Sequence, residues 1–173
     1  KLIKKLNILK KNKIINKIGF SIYDIKEIDY LKKIRNIDIV QVPLNIFDQS
    51  LIYKNKLLFL KKRNIEIHAR SIFLQGLIFL NISKIEKVIG KKSEKLRNFC
   101  NLYKSDDERL YHSINFIKNC KLIDKTVIGF TSFIEFKKLI NMFNKKKIKD
   151  NYNSFIIKDK MVIRPYNWKI KKL

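Results

Sequence analysis

Glycine and proline are scarce, at four and two in 173 residues. The four glycines stand far apart, at positions 19, 76, 90 and 129, so no glycine-rich phosphate loop of the Rossmann or P-loop type is present. No internal repeat or low-complexity linker interrupts the chain, which reads as one domain without an internal boundary. The two cysteines, Cys100 and Cys120, are far apart and have no histidine or cysteine neighbours at metal-ligand spacing. They read as free thiols rather than as a disulfide framework or a zinc site. No stretch reaches the roughly 18 apolar residues that a membrane span needs. The opening KLIKKLNILKKNK lacks a continuous apolar core and is not a secretory signal. Cytoplasm is the expected compartment, with no membrane partner.

Acidic residues are also few: 15 Asp and Glu face 40 Lys and Arg, for a net charge of +25. Such a balance usually points to nucleic acid or an anionic surface. However, 34 of the 40 basic residues are lysine, and isoleucine and asparagine are over-used alongside it. Lys, Ile and Asn together are what an AT-rich coding sequence produces. Specific nucleic-acid readers favour arginine, whose planar fork pairs bidentately with bases and phosphates. Nucleic-acid binding is therefore the less favoured reading of the charge.

What the chain does contain is an alternation of short apolar runs and helix-length segments. Residues 1–12 place Leu2, Ile3, Leu6 and Leu9 on one face of a surface helix. Lys17–Tyr23 reads as a strand, followed by a helix that Asp24 caps, with Ile25, Ile28, Leu31 and Ile34 at helical spacing. A second strand spans Asp38–Val42 and stops at Pro43. Ser50–Asn64 reads as one helix with Leu51, Leu57, Leu58 and Leu60 inward, and Ile65–Ala69 as a third strand. An apolar loop, SIFLQGLIFL, follows and is expected to fold over one end of the sheet. Helices are expected at Ser83–Gly90, Ser93–Tyr103 and Asp106–Asn119, a fourth strand at Lys125–Phe130, and a last clear helix after Ser132. Unbroken apolar strands of this kind belong to a parallel sheet covered on both faces. The expected fold is α/β, with about four parallel strands alternating with helices.

In a parallel barrel the active face lies at the C-terminal ends of the strands. Ser21, Gln41, Arg70 with Ser71, and Gly129 to Ser132 fall at that end of the four runs. Any one of these could simply begin a loop, but polar or small residues follow all four strands. His68 alternates with Ile65 and Ile67 and reads as a packing residue; His112 lies mid-helix and reads as exposed.

The spelling of these segments resembles one family. GFSIYD resembles the G-V-S-x-[FY] segment of the aldo/keto reductases at their fifth barrel strand. VQVPLNIFDQSL is similar to their Q-x-x-[YL]-N segment, and ARSIFLQGLI to Y-[ST]-P-L-x-x-G. TVIGFTSFIEFKKLI resembles V-I-x-G-[AV]-[ST]-[ST]-x-E-x-[LF], and the C-terminal VIRPYNW resembles D-P-x-x-W. The matches run in order over nearly the whole chain.

This resemblance implies the C-terminal half of a (β/α)₈ TIM barrel, with residues 1–173 forming a single partial domain. A complete barrel needs about 200–250 residues, and the chain begins with Lys1 rather than Met, which reads as an incomplete or processed N-terminus. The resemblance also implies NADPH as hydride donor, with NADH not excluded, and a small carbonyl compound as substrate. By motif, Ser21 and Gln41 would hold the nicotinamide carboxamide, and Arg70 stands where the family often has a tyrosine stacked on that ring. Ser71 and Phe73 would flank the pyrophosphate or sugar. Gly129, Thr131 and Ser132 would meet the adenosine phosphate at a helix N-terminus. The chain departs from the pattern at Arg70, at Ile72 in place of proline, and at Glu135 and Leu139 in place of a common Gln and Asn.

The family's catalytic Asp, Tyr, Lys and His belong to the N-terminal half, and none has a counterpart here. The missing half is thus the implied partner, and the chain alone would be catalytically silent. Three alternatives stay open: a non-catalytic nucleotide-binding barrel relative, a basic nucleic-acid-binding domain, and a complete small α/β protein with an unrelated site.

Overall fold

A computed structural model describes residues 2–168. Among them, four strands form one parallel sheet in sequence order: β1 (Gly19–Ser21), β2 (Ile39–Pro43), β3 (Glu66–Arg70) and β4 (Lys125–Thr126). Helices α1 (Leu2–Lys11), α2 (Glu27–Leu31), α3 (Ser50–Tyr53) and α4 (Lys56–Lys62) alternate with the first three strands. Between β3 and β4 lie a 3₁₀ turn (Leu74–Phe79) and helices α5 (Ile82–Ile89), α6 (Glu94–Leu102) and α7 (Asp106–Asn119). After β4 come α8 (Phe133–Asn144) and the short α9 (Lys160–Ile163). No helix among the described residues is long and apolar enough to cross a membrane.

Strand parity decides what each face of the sheet does. Val40 and Val42 of β2, and Ile67 and Ala69 of β3, are fully buried against the helices. Their neighbours Ile39, Gln41, Pro43, Glu66, His68 and Arg70 are half-buried on the opposite face. The expectation of strands covered on both faces thus holds for one face; among the described residues the other is only partly covered. Register places Ser21 beside Gln41, Gln41 beside His68, and His68 beside Lys125, so that face carries a polar row across all four strands. On it Glu66 bonds His68 Nε2 at 2.8 Å and also pairs with Lys17 and Lys125. Lys17, then His68 and Lys125, hold the Glu66 carboxyl at about 2.

The strands start in register because aspartates pin them. Asp38 Oδ2 accepts the Ile18 N–H at 2.7 Å, and Asp124 Oδ2 accepts the Ile67 N–H at 2.7 Å. Each aspartate also binds a helix lysine, Lys10 or Lys61. Burial alone would raise both carboxyls, but these donors hold them below the ordinary range.

Several boundaries differ from the sequence reading, each for a local reason. The first interstrand helix starts at Glu27, because Asp24 instead accepts the Lys26 N–H at 3.0 Å in a turn. The segment 50–64 is two helices, broken at Asn55, whose φ of 55° is left-handed. Asparagine tolerates that region. The break rotates Leu58 outward, to 42 % exposure, while Leu57 and Leu60 remain fully buried. Pro43 is the last residue of β2 rather than its stop. β4 pairs only through Lys125 and Thr126, with Val127 N–H reaching Ala69 O at 2.8 Å, because it is an edge strand with no second neighbour.

The cap expected at Ser132 is present, and α7 carries one that the sequence reading did not name. Ser105 and Glu108 form a reciprocal capping box on α7, and Ser132 accepts the Glu135 N–H on α8. His112 is not exposed: it stacks on Tyr103 with ring centroids 3.8 Å apart, and Nδ1 lies 2.9 Å from Tyr152 Oη.

Candidate functional site

Because the sheet is parallel, every strand delivers its C-terminal end to the same side. The turns leaving β3 and β4 diverge there and enclose a cleft of about 700 Å³. One wall is Arg70, Ser71, Phe73 and Gly76; the other is Val127, Ile128 and Gly129, with Glu135, Lys138 and Leu139 of α8. Asp106 and Leu110, from the first turns of α7, and Phe79 complete it.

The turn after β3 is held in an unusual backbone path. Ser71, Leu74 and Gln75 all have positive φ, at 57°, 47° and 54°, as does Gly76 at 79°. Non-glycine residues adopt this region at a cost, and such strain clusters at ligand sites. What fixes the path is Asn45, which is buried. Its Nδ2 donates to Ser71 O at 3.1 Å, while its Oδ1 accepts the Phe47 and Asp48 N–H groups at 3.0 and 2.9 Å. Behind it, Asp48 is paired with Arg164 in a buried contact that anchors the C-terminal segment to the β2 end. Leu74, Leu77 and Ile78 sink into the core, so the apolar loop does fold over this end of the sheet, as a 3₁₀ turn.

Arg70 has a well-defined setting. Its Nη2 donates to Ile22 O at 3.0 Å and its Nη1 to Ser71 Oγ at 3.2 Å. Its guanidinium lies 4.4 Å from the centroid of the Tyr23 ring, and Tyr23 in turn meets Tyr166 edge-on at 6.3 Å. The side chain therefore reaches from β3 across β2 to the end of β1.

Of the eight residues singled out from the sequence, Arg70, Ser71, Phe73 and Gly129 line the cleft together. Ser21 and Gln41 do not line it; they are adjacent in register on the half-covered sheet face, at the same end. Thr131 and Ser132 stand exposed beside it at the start of α8. The Thr131 donors are already engaged: its N and Oγ1 both donate to Glu135 Oε2, at 2.7 and 3.0 Å, while Ser132 Oγ accepts the Glu135 N–H. The two Thr131 bonds hold the Glu135 carboxyl below its usual range. An anion binding at Thr131 must displace that carboxylate. The sequence reading passed over Tyr23, which carries Arg70, and Asn45, which shapes the turn. The Asn of the Q-x-x-x-N spelling was the available signal for the second; nothing in the sequence pairs Tyr23 with Arg70.

The cleft can take a flat, elongated, partly anionic ligand. It offers a fixed cation, a hydroxyl, aromatic and aliphatic walls, and an open glycine, since a Cβ built on Gly129 would meet nothing within 4 Å. It holds no metal-binding cluster of His, Cys, Asp or Glu among the described residues.

Residues 1–164 match the model of the aldo/keto reductase family. No curated protein matches the sequence. Among solved structures, the chain is similar to an aldo-keto reductase from Bacillus halodurans. Against its holo form it has 14 % identity over 83 % of this chain and 49 % of that one, with a TM-score of 0.70. Against the apo form the identity is 13 %, over 86 % and 52 %, with a TM-score of 0.71. The chain thus spans about half the length of these structures. With the family model covering nearly all of its residues, the chain belongs to the aldo/keto reductase family.

Proposed function

We propose that this chain is the cofactor-binding half of an NADPH-dependent carbonyl reductase, comprising the last four β/α units of an eight-stranded barrel. The observation that carries this reading is the cleft at the C-terminal end of the sheet, where Arg70, Ser71, Phe73 and Gly129 converge from separate turns. Ser71 and Phe73 would flank the pyrophosphate and sugar, and Gly129 would let the backbone approach the ligand. Ser21 and Gln41, adjacent in register, would hold the carboxamide, and Arg70 would lie against the nicotinamide ring. Thr131 and Ser132 would meet the adenosine end once Glu135 has swung away. The bound cofactor would supply the hydride; the protein's part is to orient the ring and exclude water. NADH is the alternative donor.

The missing half of the barrel would account for the surfaces this chain leaves open. β1 and β4 each have one unpaired edge. Phe133 and Ile134 of α8 are 75 % and 79 % exposed, beside Phe130 and Ile140, and Leu2 and Ile8 of α1 are exposed at the other side. Unpaired edges and apolar patches of this kind ask for a partner, and four further β/α units would cover both.

Among the described residues no acid with a supporting lysine and aspartate stands at this rim, so in this reading hydride transfer would wait on groups outside the chain. The purified 173-residue protein is expected to bind NADPH, seen as a change in the cofactor's fluorescence, and to reduce no member of a broad aldehyde and ketone panel. Turnover by this chain alone would overturn the division of labour; absence of NADPH binding would overturn the cofactor assignment.

A further inference from the structure

Arg70 carries a charge that no described residue neutralises. Among the described residues it forms no ion pair, and its buried Nε has no hydrogen-bond partner. Its other donors go to neutral oxygens, Ile22 O and Ser71 Oγ, and one face of the guanidinium is covered by the Tyr23 ring. The two carboxylates that also line the cleft are engaged elsewhere: Asp106 faces Arg109 at 3.6 Å, and Glu135 accepts from Thr131. An arginine is ionised at any accessible pH. Its position is over-determined by β1, β3 and the turn after β3, so the charge cannot swing away to solvent as a lysine's could.

We infer that Arg70 makes the site discriminate between the two redox states of its ligand, favouring the reduced, neutral nicotinamide over the oxidised, cationic one. This rests on the dinucleotide reading above. The two forms share their phosphates, sugars and adenine, so those contacts cancel in the ratio of affinities. What remains is the ring, which carries a positive charge only when oxidised. A fixed guanidinium beside it repels that form and not the other. The cleft is partly buried, so the repulsion is screened less than in bulk water. A roughly tenfold preference for the reduced form lies between the bulk-water and protein-surface limits of that interaction at contact distance. Tyr23 is then a positioning residue: it holds the guanidinium against the sheet face so that its charge bears on the ring.

The test is titration of the 173-residue chain with NADPH and with NADP⁺, in the wild type, Arg70→Met and Arg70→Lys. The wild type should bind the reduced form more tightly. Arg70→Met should shrink the ratio of the two affinities by about tenfold, and Arg70→Lys, which keeps the charge but lets it swing toward solvent, should fall between the wild type and Arg70→Met. Rising salt should shrink the wild-type ratio in parallel. If Arg70→Met does not fold by circular dichroism, Arg70→Gln and the salt series carry the same comparison. A ratio indifferent to the charge at position 70, in a protein that binds both forms, would overturn this inference alone. A wild type that binds neither form would overturn the dinucleotide reading itself.

Discussion

Gly129 lies where a side chain would meet no protein atom within 4 Å. The fold does not require a glycine at that position, but a ligand lying along the wall it forms would. Gly129→Ala should therefore leave the urea unfolding free energy within about 0.5 kcal/mol of wild type and weaken NADPH binding about tenfold, or ~1.4 kcal/mol. Equal affinity in both proteins would remove Gly129 from the binding surface. Arg70, Ser71 and Gly129 could be picked out beforehand because each falls at the same end of an apolar run; Phe73 came only from the family resemblance. Tyr23, Asn45 and the Glu135 clamp could not, because each acts through a partner distant in sequence or through a rotamer. Asn45 reaches Ser71, 26 residues on, and Tyr23 meets Arg70, 47 positions later.

Among the elements, β1 is held by backbone contact more than by side chains. It is three residues long, and its only parallel neighbour is β2. A Cβ on Gly19 would sit 2.8 Å from Ile39 O and 2.9 Å from Ile39 Cβ, on the strand it pairs with. The glycine within this strand is the signature of a close backbone approach. Gly19→Ala should force β1 away from β2 and cost about 1–3 kcal/mol, read as a lower midpoint in thermal or urea unfolding. An unchanged midpoint would show that β1 can move without loss. Element type was readable from periodicity along most of the chain: α7 and the cap at Ser132 fall where they were expected. Element length was not. The Ser50–Asn64 helix divides at Asn55, and β4 shrinks to two paired residues because an edge strand extends only as far as its neighbour supports it.

Across the whole molecule, the C-terminal segment is bound back onto α7 by a buried polar cluster. His112 stacks on Tyr103, meets Tyr111 edge-on, lies 2.9 Å from Tyr152 Oη and has Asp150 at 3.4 Å. Asn115 donates to Tyr152 Oη at 2.9 Å and to Ile148 O at 3.1 Å. Burial pushes the Tyr103 phenol up to about 12 and raises Tyr152 further. Burial lowers His112 below its ordinary 6.5, with Asp150 and Glu108 opposing only in part. The sign follows from linkage: the unfolded chain protonates His112 first, so its contribution is complete above about 6.5 and is lost as pH falls through the lower folded value. Urea unfolding at pH 7.5 and 5.5 should show a less stable protein at the lower pH. In His112→Phe, which cannot take up the proton, that difference should shrink. A pH difference of equal size in the variant would place its origin elsewhere.

The order of strands and helices, the parallel sheet, and the end at which polar residues collect were all set by local pattern, because apolar periodicity and capping act over a few residues. Which of those polar residues share a cleft was decided by tertiary structure. The turns after β3 and β4 part, bringing Ser71 and Gly129 together, while Ser21 and Gln41 stay on the sheet face. Arg70 became a fixed, unneutralised cation only when the fold laid it across β2 onto Tyr23. Charge and stacking depend on distance in space, which spacing along the chain does not encode.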